Sequence, residues 1–176
     1  MLVDDEHLIR SALATMLSLE EDLEVLGEAG TVAEGARLIA ETTPDVAVVD
    51  LQLPDGDGLE LCEQIAEASP ATRCLILTSH ARPGYLKRAL AQGVLGFLPK
   101  TTSAEQLARA VRSVANGRRA IDPELAAETI SSGDSPLTPR EADVLEFAAD
   151  GAPVEQIARR AHLAPGTVRN YLSSAQ

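Results

Sequence analysis

The chain has 176 residues, 45% of them hydrophobic, and its 27 acidic against 15 basic side chains give a formal net charge of -12. So acidic a balance argues against a generic polyanion binder, so any nucleic-acid surface has to be found in a motif rather than in bulk charge. No run of ~18 apolar residues occurs and the start lacks a basic-then-apolar pattern, which sets the expectation of an unexported, cytoplasmic protein with no membrane insertion.

From the start to about Asn116, short apolar runs alternate with segments of helical period, the pattern of repeated β-α units on a parallel sheet. Strands are expected over 2–3, 24–29, 46–49, 74–77 and 96–98, with helices over 7–19, 32–43, 58–68, 84–92 and 104–116. The fold class read from this is α/β, a five-stranded doubly wound parallel sheet of flavodoxin type over 1–117. Ser103 and Asn116-Gly117 supply cap residues for the fifth helix. Cys62 and Cys74 fall in a helical and a strand pattern and are expected to be buried thiols rather than a disulfide.

The pattern weakens over 118–136, where Ser131-Ser-Gly-Asp-Ser-Pro136 reads as a linker, preceded by a short helix over 123–129. A small all-α domain is expected over 137–176. Thr138-Pro-Arg-Glu141 offers an N-cap Thr, a Pro at the first helical position and a Glu three residues after the cap. The helix it opens carries Val144, Leu145 and Ala148 on one face and stops before Gly151. A second helix is expected over 154–161 and a third from Pro165 onward. Charge divides unevenly, with 18 acidic and 9 basic residues up to Gly117 and 9 acidic and 6 basic after it.

In the α/β part, Asp4-Asp5, Asp50, Thr78 and Lys100 each stand where a buried strand would end. Parallel strands bring those ends to one crevice, where ligands collect. Carboxylates, a hydroxyl and an ammonium group together suit a divalent cation and a phosphoryl group, because hard oxygen ligands hold Mg2+ and the other two meet phosphoryl oxygens. Asp50 is the candidate acceptor: a carboxylate attacking phosphorus needs cations to offset its repulsion from the donor. Singly, an Asp-Asp pair is a turn or cap and a Lys after Pro is a solvated side chain. Jointly, intervals of 45, 28 and 22 residues separating Asp5, Asp50, Thr78 and Lys100 are far more specific.

Val3-Asp-Asp-Glu6, Asp50-Leu-Gln-Leu-Pro-Asp-Gly-Asp-Gly58 and Phe97-Leu-Pro-Lys100 resemble the receiver domain of bacterial two-component response regulators. The resemblance implies Mg2+ on Asp5, Asp50 and the Gln52 backbone carbonyl, with Asp4 helping through water. It implies phosphoryl transfer to Asp50 from a sensor histidine kinase or a small phosphodonor, with Thr78 and Lys100 binding the phosphoryl group. It places Phe97 at an aromatic switch position, against the plain alternative of a core aromatic, and puts Gln52 and His80 beside the phosphoryl group.

Downstream, two short helices followed by a third with polar outward residues describe a helix-turn-helix, against the alternative of a helical docking module. Thr167, Arg169 and Asn170 suit phosphates or base edges, while Val168 and Leu172 would pack inward. Leu137-Thr-Pro-Arg-Glu141, Val144-Leu145, Gly151, Ile157-Ala158 and Thr167-Val168 resemble the LuxR-type helix-turn-helix of NarL/FixJ response regulators. Arg-Asn-Tyr-Leu-Ser from Arg169, with Ala81-Arg-Pro-Gly-Tyr85, is similar to a DesR-like branch. Two departures from the family are a first strand of only Met1-Leu2-Val3 and a chain that stops inside the recognition helix.

The expected function is a phosphorylation-activated transcription factor, not an enzyme, that forms a homodimer on double-stranded promoter DNA. The apolar first helix (Leu8, Ile9, Ala12, Leu13, Met16, Leu17) and the fifth around Leu107 and Val111 are expected to form a dimer or kinase surface, against the alternative that all are core. Two rivals remain: a phosphorelay or docking receiver without DNA binding, and a phosphoaspartate-type phosphohydrolase. The latter needs an acid/base Asp two residues after the nucleophile, where this chain has Gln52.

Overall fold

The computed structural model describes residues 1–132, 144, 147–148, 153–161 and 163–174. They form two compact units, Met1–Ile130 and Ser131–Gln176.

The first unit runs β1 (Leu2–Val3), α1 (His7–Leu17), β2 (Glu28–Ala29), α2 (Val32–Thr42), β3 (Val46–Val49), a hairpin of β4 (Gln52–Leu53) and β5 (Gly56–Asp57), then α3 (Gly58–Ala68). It continues through β6 (Arg73–Thr78), α4 (Pro83–Ala91), β7 (Gly96–Pro99), α5 (Ala104–Ala115), β8 (Ala120–Ile121) and α6 (Pro123–Ser131). The sheet is parallel in the order β2-β1-β3-β6-β7-β8. This is the expected doubly wound arrangement, and β8 adds a sixth strand to the five read from the sequence.

Helices cover both faces, which is why the strands are continuous apolar runs: all four residues of Val46-Ala-Val-Val49 are buried. On one face Ile39 of α2, Leu61 and Ile65 of α3, and Tyr85 and Leu86 of α4 close over Val3, Val49 and Ile76. On the other, Leu17 of α1 and Leu107, Ala110 and Val114 of α5 close over Leu2, Val48 and Leu77.

Local chemistry sets the helix starts. The Thr31 hydroxyl accepts from Glu34 N–H at 3.1 Å, and the Asp57 carboxylate accepts from Leu59 N–H at 2.9 Å. Ser103 and Gln106 form a reciprocal capping box. Asp55, at the hairpin turn, reaches across to the start of α2 and accepts from Val32 N–H at 2.7 Å and Ala33 N–H at 3.0 Å.

Three boundaries differ from expectation for identifiable reasons. The strand expected over 24–29 pairs only at Glu28–Ala29, because β1 offers just Leu2 and Val3 as partners. α1 stops at Leu17, where Ser18 N–H folds back to Ala14 O at 3.0 Å. Residues after Gly117, read as linker, begin with β8 and α6, and Leu125 of α6 is buried in the first apolar layer.

In the second unit, α7 (Val154–Arg160) and α8 (Pro165–Ser174) share a core of Val144, Phe147, Ile157, Ala158, Ala161 and Val168. Leu172 packs against it, so Val168 and Leu172 face inward as expected. Arg160 lies 4.0 Å from the centroid of the Phe147 ring. The capping-box start at Thr138, Leu145 and Gly151 lie outside the described residues. Among the described residues, no helix is long and apolar enough to cross a membrane.

Candidate functional site: an acidic pocket at the strand ends

Asp4 and Asp5 follow β1, Asp50 follows β3, and Lys100 follows β7, so adjacent parallel strands deliver all four to one end of the sheet. Asp4 and Asp50 are buried, and one carboxylate oxygen from each of Asp4, Asp5 and Asp50 lies within 4.8 Å of the others. Lys100 Nζ sits 2.7 Å from Asp4 Oδ2 and 2.8 Å from Asp50 Oδ2, with Glu6 Oε2 at 3.4 Å. Glu6 also donates its backbone N–H to Asp4 Oδ1 at 2.9 Å. Arg10 adds a second cation nearby, donating to the Asp4 carbonyl and pairing with Glu28 at 3.3 Å.

The charge in this pocket does not balance. Two unit charges about 4 Å apart interact by about 4 kcal/mol at an effective dielectric of about 20, so one ammonium compensates one close carboxylate pair but not three or four groups. Burial, the largest influence on Asp4, holds its carboxyl above the ordinary range against the opposing pull of Lys100. Burial would lower the Lys100 ammonium, but Asp50 and Asp4 outweigh it and hold it above its ordinary value. Asp50 Oδ1 is buried without a hydrogen-bond partner. A clustered, undercompensated set of carboxylate oxygens with one oxygen unengaged fits a hard divalent cation. Asp4, Asp5 and Asp50 are the residues that could hold it.

The backbone beneath the acceptor is tightly constrained. Gly58 N–H donates to Leu51 O at 2.8 Å, and a Cβ at Gly58 would fall 1.9 Å from the Asp50 carbonyl oxygen. Gln52, beside it in β4, is buried and registers opposite Asp57 in the hairpin. Thr78 is fully buried at the end of β6, where its hydroxyl accepts from His80 N–H at 3.1 Å and its carbonyl accepts from Lys100 N–H at 2.9 Å. Phe97 is 1% exposed, within the same apolar layer as Tyr85 and Leu86.

The expected partner surface is only partly a surface. Leu8 is 85% exposed and Ile9 36%. Leu13 and Val111 are half-buried against the second apolar layer. Leu107 is a correction: it is 2% exposed, because the inward face of α5 carries it together with Ala108, Ala110 and Val114. In the second unit, Arg169 and Asn170 are exposed and Thr167 is half-buried on α8. Arg169 Nη2 lies 3.5 Å from Glu155 Oε1. Sequence reasoning gave no role to Glu6, Arg10 or Glu155. Glu6 was legible as the residue completing Asp4-Asp5-Glu6, whereas the other two depend on tertiary placement.

The raised Asp4 fixes the sign of a pH effect. A carboxyl that binds its proton more tightly folded than unfolded stabilises the fold below its unfolded value of 3.8, and that stability is lost as pH rises through the higher folded value. In chelator, the melting temperature is therefore expected to rise as pH falls from about 7 to about 5, and Asp4→Asn should flatten the rise. Thermal melts of both proteins check this; parallel curves would remove Asp4 as the source.

Residues 1–112 match the family described as the response regulator receiver domain, and residues 135–176 match the bacterial regulatory proteins of the luxR family. The transcriptional regulatory protein DesR of Bacillus subtilis (strain 168) is 41% identical over 172 residues, 98% of this chain and 85% of that protein. The DNA-binding transcriptional activator DevR/DosR of Mycobacterium tuberculosis is 39% identical over 181 residues, covering 98% of this chain and 83% of its own length. Among solved structures, a LuxR-family two-component response regulator from Aurantimonas sp. SI85-9A1 superposes with a TM-score of 0.69 at 34% identity, over 75% of this chain and 94% of that one.

Proposed function

This chain belongs to the response regulators that join a receiver domain to a LuxR-type DNA-binding domain, and is a transcriptional regulator; from that membership we propose that Asp50 is its phosphoacceptor and that Asp4, Asp5, Asp50 and the Gln52 carbonyl form its Mg2+ site. The observation that carries the assignment is the unengaged Asp50 Oδ1, buried within the carboxylate cluster and next to Lys100.

Asp50 attacks the phosphorus of a histidine kinase's phosphohistidine or of a small acyl phosphate. The new bond is O–P, and the bond from phosphorus to the donor's nitrogen or oxygen breaks, leaving its electron pair on the donor. Bound Mg2+ supplies charge neutralisation for the incoming group. Lys100, already 2.8 Å from Asp50 Oδ2, moves its pairing from the carboxylate to a phosphoryl oxygen. Thr78 exchanges its His80 N–H contact for donation to the phosphoryl group, and Phe97 repacks with it. The altered surface favours a homodimer, with Leu8 and Leu13 of α1 and Val111 of α5 as the contact. Paired DNA-binding units then address adjacent half-sites through Thr167, Arg169 and Asn170. The cytoplasm is where such a protein would meet both its kinase and its promoter.

Intact-mass spectrometry after incubation with acetyl phosphate and Mg2+, with size-exclusion chromatography on the same sample, tests this. One added phosphoryl group, abolished by chelator and accompanied by a shift to dimer, is the expected result. A folded, Mg2+-binding protein that gains no mass would overturn the assignment.

A further inference from the structure

The edge of the sheet beyond β7 carries a device that the phosphorylation reading does not by itself require. β8 is parallel to β7, with Gly96 opposite Ala120 and Phe97 opposite Ile121. Ala120 N–H donates to Leu95 O at 2.9 Å, and Asp122 N–H donates to the Phe97 carbonyl at 3.1 Å. Asp122 then caps the next helix: its Oδ1 accepts from Leu125 N–H at 2.9 Å and its carbonyl accepts from Ala126 N–H at 3.0 Å. Leu125 is 4% exposed in the apolar layer that holds Phe97, Tyr85 and Leu86, and Ile121 packs against that layer. α6 ends at Ser131, where the first unit gives way to the second.

We infer that β8 and α6 are the output element of the receiver, taking their position from β7 through the Phe97–Asp122 hydrogen bond and the burial of Leu125. The inference rests on the phosphorylation of Asp50 proposed above. β7 ends one residue before Lys100, whose Nζ contacts Asp50. When Lys100 changes partner, the strand that carries it changes its pull on β8. A strand pair responds as a unit, because its ladder bonds and its packed side chains have discrete arrangements. The first turn of α6 follows because its cap, Asp122, is held by that same strand. The stretch after Gly117 is thus a reader of the switch strand and not a passive tether. Two short elements suit this role, since few buried contacts hold them and little free energy is needed to shift them.

Hydrogen exchange read by mass spectrometry on the full chain tests the inference, with and without acetyl phosphate and Mg2+, and with intact mass taken from the same samples. Phosphorylated protein is expected to show a several-fold change in exchange over 120–131, and Asp50→Ala none. Asp122→Ala and, separately, Leu125→Ala should take up phosphoryl groups normally while the response over 120–131 shrinks or disappears. Asp122→Ala keeps the proposal testable if the cavity left by Leu125→Ala unfolds α6. A phosphorylated parent whose exchange changes around Thr78 and Lys100 but not over 120–131 would overturn the output role while leaving Asp50 as acceptor. Absence of the adduct itself would overturn both.

Discussion

Asp50→Asn is expected to gain no phosphoryl group from acetyl phosphate and Mg2+, while remaining folded and melting no lower than the parent in chelator. The two halves of this result have separate causes. An amide oxygen of the same shape can still accept from Lys100, which lies 2.8 Å from Asp50 Oδ2, so packing is retained. It is not a nucleophile at phosphorus, so transfer is lost entirely rather than slowed. Stability does not follow activity downward, because the substitution removes one charge from three carboxylates whose oxygens lie within 4.8 Å of each other. Relief of that repulsion offsets what Lys100 loses. Intact mass and a thermal melt in chelator read the two halves independently. A phosphorylated Asn variant would move the acceptor to Asp4 or Asp5, and a variant that fails to fold would show that Asp50 holds the sheet end together as well as reacting.

Gly58→Ala is expected to destabilise the first unit by about 3 kcal/mol or more, at the upper end of what overpacking costs. The added methyl would lie 1.9 Å from the Asp50 carbonyl oxygen, 2.9 Å from its carbon and 3.1 Å from Leu51 Cα. All three are backbone atoms, so no rotamer change can make room. Either the first turn of α3 lifts, breaking the Gly58 N–H to Leu51 O bond of 2.8 Å, or the end of β3 moves and carries Asp50 with it. The melting temperature should fall by on the order of 10 °C, and any folded fraction should take up phosphoryl groups more slowly than the parent. A melting temperature within a degree or so of the parent would mean that the β3-to-α3 connection is far more compliant than its close packing implies.

What the sequence revealed of this fold divides according to how much of each element's definition is local. Val46-Ala-Val-Val49 and Gly58–Ala68 were legible because an unbroken apolar run and a helical period with Asp57 as cap are self-contained signals. The hairpin and β8 were not, since each of their strands is two residues long and no periodicity exists at that length. Glu24–Ala29 reads as a strand by composition, yet ladder pairing depends on its neighbour, and β1 supplies two residues. Leu107 was misplaced for a related reason: an apolar stripe on α5 says that one face is buried without saying where the surface begins. At the site, Asp4, Asp5, Asp50, Thr78 and Lys100 were found because β-α repeats fix where strand ends converge. Arg10 was missed because its role comes from reaching back across a turn to the Asp4 carbonyl.

The strand order β2-β1-β3-β6-β7-β8 has a bearing on how the molecule is made. Every strand of this sheet pairs with one that precedes it in the chain: β2 and β3 with β1, β6 with β3, β7 with β6 and β8 with β7. A polypeptide emerging from the ribosome therefore never has to hold an edge open for a strand not yet synthesised, and from β3 onward the sheet grows at one side only. The acceptor crevice closes when β7 arrives, before the DNA-binding unit has been translated, so the switch is assembled ahead of what it controls.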